Sequence, residues 1–204
     1  MSANDKATNL NAIICTHFHS DHTGGLAQLV RETGAPVYVG TQDAPHIEVP
    51  RGARDVALHL HEACKVDVRV NDGDVFQTGE ALQTSETLRT GGTSWQFIHT
   101  PGHSAGGICL YKPAVEPAAE SPSGADVIVN GKNYGNIPVL FSGDTLFAGV
   151  TGRTDFFGSS DSDMRESLKK LAKLPDETLV LPGHNDFTTI GAERATTFRR
   201  WGVE

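Results

Sequence analysis

The segment Thr16-His17-Phe18-His19-Ser20-Asp21-His22 places three histidines and an aspartate within seven residues, directly after the apolar run Leu10 to Cys15. A chain built this way has to end a buried strand in a polar cluster. In extended backbone alternate side chains point the same way, so His17 and His19 can reach one ion together. Asp21 and His22 follow where the chain turns into a helix-like stretch from Thr23-Gly24-Gly25, and they can face a second ion. Imidazole and carboxylate bind zinc or a neighbouring transition metal at about 2.0–2.2 Å.

Three later segments supply what such a site still lacks. Thr100-Pro101-Gly102-His103-Ser104 presents His103 on a sharp turn after the strand-like stretch Trp95 to His99. Phe141-Ser142-Gly143-Asp144-Thr145 puts Asp144 at the end of an apolar run, and Leu181-Pro182-Gly183-His184-Asn185 does the same for His184. Each is a short buried strand ending in a glycine-containing turn, so distant side chains can converge at one edge of a sheet.

The chain has 204 residues, enough for one domain with a sizeable core, and a formal net charge of −8. An acidic surface without a Lys/Arg run repels phosphate backbones, which excludes nucleic acid as a partner and leaves a small-molecule substrate. Cys15, Cys64 and Cys109 form no C-x-x-C pair, and Cys15 and Cys109 lie in apolar runs as core thiols. Met1 to Asn9 is polar and no run reaches membrane-spanning length, so no membrane association and a reducing, cytoplasmic setting are expected. Nothing in the sequence sets an oligomeric state.

Along the chain we expect a strand at Leu10 to Cys15, a helix at Gly24 to Glu32 and a strand at Pro36 to Val39. A polar stretch runs from Thr41 to Arg54. Val66 to Val70 and Val75 to Phe76 flank Asn71-Asp72-Gly73-Asp74, which reads as a tight hairpin. Thr78 to Ser94 is a polar enlargement, and Gly107 to Tyr111 a further strand. Lys112 to Asn136 is dense in Pro, Ala, Ser and Gly and reads as a surface loop insertion (112–136) within a single domain, 1–204. Met164, Leu168, Leu171 and Leu174 are spaced as on a helix over Ser162 to Lys173, with Asp161 and Asp163 at its start. Ile190 to Trp201 reads as a closing helix. Helices alternating with short buried strands indicate a layered α/β fold.

The blocks THFHSDHTGG (16–25), HTPGHS (99–104), FSGDTLFAGVTGRTDF (141–156) and LPGHNDFTTIGAER (181–194) resemble the metallo-β-lactamase superfamily, and within it the single-domain glyoxalase II-like hydrolases. The resemblance implies an αββα sandwich with metals at one edge. It also implies that His17, His19 and His103 hold one ion, that Asp21, His22 and His184 hold a second, and that Asp144 bridges them. Two divalent ions are therefore expected, zinc first, with iron and manganese as the other ions such a donor set accepts. Asp21 is in addition a candidate proton acceptor. The implied reaction is hydrolysis of a thioester of the hydroxyacylglutathione type by a hydroxide held between the ions. A bridging aspartate resembles the thioester, lactone and phosphodiester hydrolases and disfavours antibiotic hydrolysis.

Two alternatives stand beside it. GRTDF also resembles the persulfide dioxygenases, in which His17, His103 and Asp144 would bind a single iron, although Pro182-Gly183-His184-Asn185 departs from their last motif. The other is a shortened, inactive metal-binding remnant. Arg153 either pairs with Asp155 to hold its loop or meets an anionic substrate group. Phe147, Phe156 and Phe157 are candidates for an apolar mouth. His46, His99 and the His59-Leu60-His61 pair are read as structural.

Members of the family carry several strands ahead of the histidine motif, whereas here about nine residues precede the first strand. The resemblance therefore implies a shortened form, lacking the first strands of one sheet and with an exposed sheet edge. A version extended upstream should melt markedly higher in a thermal-unfolding experiment; equal melting would overturn this expectation.

Overall fold

The computed structural model describes residues 10–49, 62–78, 93–114 and 127–203. The His59-His61 pair, the end of the polar stretch at Arg54, most of the Thr78–Ser94 enlargement and the middle of the 112–136 insertion lie outside the described residues. Two sheets face each other. The smaller contains β1 (Ile13–Cys15), β2 (Val37–Gly40) and β3 (Val68–Val70), all parallel and in the order β1-β2-β3.

The larger contains β4 (Val75–Thr78), β5 (Thr93–His99), β6 (Ile108–Lys112), β9 (Val139–Gly143), β10 (Leu179–Pro182) and β11 (Thr188–Thr189). Its order is β11-β10-β9-β6-β5-β4, mixed in direction, with β9 and β10 parallel. A small hairpin of β7 (Ile128–Val129) and β8 (Lys132–Asn133) stands apart within the loop insertion.

Helices cover the outer faces. On the smaller sheet sit α1 (Ser20–Thr23), α2 (Leu26–Thr33) and α3 (Ala44–Glu48). Leu26, Ala27, Ala44 and Ile47 pack there against Cys15, Val37 and Val39. On the larger sheet sit α4 (Asp161–Leu171) and a C-terminal helical segment. That segment runs as α5 (Ile190–Glu193), a π-helical turn (Arg194–Phe198) and α6 (Arg199–Trp201). Met164, Leu168, Leu171, Ile190 and Phe198 meet Cys109, Leu140 and Val180 in this second layer. Between the sheets lie Val70, Phe97 and Ile108, with Ile14, Tyr38, Phe76 and Leu110 against them. The layers are therefore α, β, β, α, as the sequence implies.

Helix α4 forms where its apolar spacing places it. Ser160 caps it by accepting from the Asp163 N–H, and Asp161 and Asp163 complement the positive end of its dipole. Cys15, Cys64 and Cys109 are all buried free thiols. Burial pushes the Cys109 thiol up to about 11 and, with Cys64 beside it, the Cys15 thiol up to about 12.

Four expectations need correction. Asn71 to Asp74 does not close a hairpin, because β3 pairs with β2 in one sheet while β4 pairs with β5 in the other. The turn itself forms, with Gly73 at φ +85° and the Asn71 N–H donating to Asp74. Further bonds tie it to β5, from Gly73 N–H to Phe97 O and from His99 N–H to Asp72. These bonds carry the chain across from one sheet to the other. Asp21 and His22 lie inside α1 and not before a helix. The Thr41–Arg54 stretch contains α3 and a fully buried aspartate, Asp43. Strand β1 is shorter than the apolar run, and among the described residues it pairs with β2 alone. Both its faces are used: Ile13 and Cys15 turn to the helices, and Ile14 turns between the sheets.

Glu193 ties the C-terminal segment to the rest. It is 2 % exposed, and its carboxylate accepts from the hydroxyls of Thr188, Thr196 and Thr197 and from the Gly149 N–H, at 2.6–3.1 Å. Burial alone would raise its pKa, but these donors more than offset it and hold the carboxyl below its ordinary value. Removing the carboxylate takes the acceptor from the Thr188 and Thr197 hydroxyls and the Gly149 N–H, while Thr196 keeps the Ala192 carbonyl. Glu193→Ala is expected to cost about 2–3 kcal/mol and lower the thermal midpoint by roughly 5–10 °C, measured by calorimetry.

Candidate metal centre

The ends of β1, β5, β9 and β10 and the turns after them meet at one edge of the sandwich. After β1 the chain stays extended through His17 and His19 and then winds into α1, which carries Asp21 and His22. The Thr23 hydroxyl donates back to the Phe18 and His19 carbonyls and pins this loop. After β5, Gly102 takes φ +143°, and a Cβ there would sit 2.5 Å from the Met164 Cα of α4. Ser167 Oγ donates to Pro101 O and Ser160 N–H to Gly102 O, so α4 props the turn that presents His103.

After β9, Gly143 takes φ +50°, and a Cβ would meet the Thr16 side chain at 2.7 Å. This close approach brings Asp144 beside the histidine loop. After β10, Gly183 N–H donates to Gly143 O, which sets His184 alongside. A Cβ on Gly183 would lie 2.5 Å from Asp144 Oδ1 and 2.7 Å from the His22 ring. The glycines in these turns are therefore clearances for the cluster as well as chain reversals.

All seven residues singled out in the sequence converge. His19 Nδ1 lies 2.8 Å from His103 Nε2, and the His17 ring is 4.8 Å from His19 and 4.9 Å from His103, centre to centre. His184 Nε2 lies 3.2 Å from His22 Nε2 and 3.1 Å from Asp21 Oδ2. Asp144 stands between the two groups, with Oδ1 3.3 Å from His22 Nε2 and Oδ2 3.5 Å from His103 and 3.6 Å from His184. Donor atoms of His17, His19 and His103, of His17, His22 and Asp144, and of Asp21, His22 and His184 form three groups that could each hold a metal ion. Ligands about 2.0–2.1 Å from a tetrahedral ion are separated by about 3.3 Å, and these spacings fall around that value.

Polar satisfaction agrees. His17 Nε2 and Asp144 Oδ1 are buried and have no hydrogen-bond partner, a costly state that a cation relieves. Burial, then the neighbouring His22, His19, His103 and His184, hold His17 far below the ordinary imidazole pKa, so it is neutral with a lone pair available. Burial would raise the Asp21 carboxyl, but His22 and His184 outweigh it and keep it below its usual value. Burial would lower His22, and Asp144 and Asp21 outweigh that. The His103 Nδ1–H donates to Arg153 O at 2.7 Å, which turns Nε2 toward the cluster. The residues fit divalent metal.

Arg153 touches the centre through its carbonyl. Its guanidinium is committed to Asp155 by two bonds of 2.7 and 2.8 Å and stacks 4.5 Å over Phe156. Phe156 in turn stands edge-on to His19 and His103, and Phe147 to His184, while Phe157 projects into solvent. His46 stacks on Phe18, and His99 bonds Ala105 O, as structural residues.

Sequence reasoning missed Asp43, whose buried carboxylate accepts from Phe18 N–H, Ser104 Oγ and Gly106 N–H. The available signal was a lone aspartate just beyond a strand-ending glycine, which composition alone reads as polar loop. No helix among the described residues is long and apolar enough to cross a membrane.

Comparison with known proteins places this geometry. The hydroxyacylglutathione hydrolase of Nitrosomonas eutropha is 33 % identical over 174 residues, covering 85 % of this chain and 47 % of that enzyme, so the chain spans about half its length. The crystal structure of TTHA1623 in a di-iron-bound form superposes with a TM-score of 0.63 at 33 % identity, covering 91 % of this chain and 75 % of that one. ETHE1 from Myxococcus xanthus gives 0.60 at 27 % identity, covering 95 % and 64 %. The model of the metallo-beta-lactamase superfamily matches residues 1–115 and 133–184. With its sandwich, its four converging turns and that match over most of its length, the chain belongs to the metallo-beta-lactamase superfamily.

Proposed function

We propose that the chain is a metal-dependent hydrolase that cleaves a thioester of the hydroxyacylglutathione type and holds two divalent ions side by side. The placement of Asp144 carries this reading. One of its oxygens faces His22 and the other faces both His103 and His184, so a single carboxylate addresses both groups of donors. His17, His19 and His103 would hold one ion, and Asp21, His22 and His184 the other. When bound, such ions polarise a carbonyl and lower the pKa of water from 15.7 to about 7. Zinc is the first assignment, with iron and manganese as alternatives, iron being the metal named for TTHA1623.

The chain's own residues prepare the site. His17 needs no deprotonation before it can donate, and His103 is fixed in one tautomer by Arg153 O. Asp21 is held ionised by His22 and His184, which suits a ligand; accepting a proton would work against both neighbours. Phe156 and Phe147 wall the cluster on two sides with apolar surface, suited to the acyl or thiol portion of a small molecule. Arg153 pairs with Asp155 at the exposed rim, a contact weak enough for an anionic substrate group to exchange with it.

Protein reconstituted with zinc, iron or manganese is expected to release thiol from S-lactoylglutathione and to carry about two ions per chain by elemental analysis. One iron per chain with rapid oxygen uptake on glutathione persulfide would replace this reading by the dioxygenase. Full metal sites without cleavage of any thioester, lactone or phosphodiester would mark a binding remnant. Gly183→Ala drives a methyl group against Asp144 and His22, and is expected to leave about one ion bound where the parent binds about two.

A further inference from the structure

Asp43 lies immediately beyond β2 and carries none of the donors that converge on the centre, yet it is 0 % exposed. Its Oδ2 accepts from the Phe18 N–H at 3.1 Å and from Ser104 Oγ at 2.7 Å, and its Oδ1 accepts from the Gly106 N–H at 2.6 Å. Phe18 sits between His17 and His19 in the chain, and Ser104 follows His103. The three donors thus come from the two loops that supply one group of metal donors. Three donors converge on its two oxygens, so both oxygens act as acceptors.

The surrounding backbone is built for this contact. A Cβ on Gly40 would fall 1.9 Å from Gly106 O, and one on Gly106 would fall 2.2 Å from Asp43 N. No side chain fits at either position, so the turn after β2 lies directly on the turn after His103. Asp43 N–H also donates to Gly40 O, which closes the turn that aims its carboxylate. Loops 61 residues apart in sequence are joined here by one side chain.

We propose that Asp43 is a positioning residue that sets the spacing between the His17/His19 loop and the His103 turn, and so tunes the affinity of the first metal position. The inference rests on these residues holding metal, as proposed above. Asp43 acts through hydrogen bonds alone and touches neither ion nor substrate. An isosteric amide keeps one acceptor oxygen and puts an NH2 group where the other stood, so an N–H donor of one loop faces another donor and one of the two loops loses its acceptor.

The test measures metal affinity of the whole chain by chelator competition, together with the visible spectrum of the cobalt-loaded protein. His184→Ala serves as a background in which the second group of donors is dismantled and the remaining ion reports the first. In that background Asp43→Asn is expected to weaken binding roughly 10–100-fold and to shift the cobalt bands, and Ser104→Ala to do so by a smaller factor in the same direction. In the parent chain Asp43→Asn should weaken one ion far more than the other. Unchanged affinity and spectrum in both variants, or equal weakening of both ions tracking the loss in thermal midpoint, overturns the proposal. Ser104→Ala keeps two of the three bonds to the Asp43 carboxylate and decides the matter if Asp43→Asn does not fold. A parent chain that binds no metal defeats the functional reading itself, which separates the two failures.

Discussion

Ring nitrogens of His19 and His103 lie 2.8 Å apart, and those of His22 and His184 3.2 Å apart. Lone pairs aimed at one another at such distances repel unless a proton or a cation lies between them, and the buried Nε2 of His17 and Oδ1 of Asp144 have no hydrogen-bond partner at all. The strand ends hold the cluster together. Hydrogen-bonded ladders fix β9 against β6 and β10, and β6 against β5, so the turns they carry cannot spread without breaking the sheet. Helix α4 reinforces the His103 turn through Ser160 and Ser167. Ring nitrogens this close suit a proton or a cation between them.

Much of this was legible in the sequence because it was written locally. The spacing of His17, His19, Asp21 and His22 needs only an extended chain that turns into a helix. The glycines beside His103, Asp144 and His184 mark tight turns, and each is pressed against a neighbour where a Cβ would not fit. Met164, Leu168 and Leu171 announced α4 by their period. The layered arrangement followed from alternating helices and buried strands.

What was not legible depended on partners far away in the chain. Asp72-Gly73 is a true turn signal, but the strands beside it belong to different sheets, and local chemistry does not encode which strand a neighbour joins. Asp43 looks like any polar loop residue until Phe18, Ser104 and Gly106 are brought around it. Glu193 likewise reads as one charge in a helix, and becomes a buried acceptor only when Gly149 and three threonines close on it. Buried carboxylates of this kind draw their donors from several segments, so a single-sequence pattern does not mark them.

The seven side chains are unequally sheltered. His17 is 2 % exposed and His103 7 %, whereas the side chains of Asp21 and His184 are 57 % and 48 % exposed. Phe156 closes the His19 and His103 side. Among the described residues the cluster is therefore graded, with Asp21 and His184 toward solvent and His17 innermost. A molecule arriving from solvent on that side meets the Asp21 carboxylate before it meets the buried imidazoles.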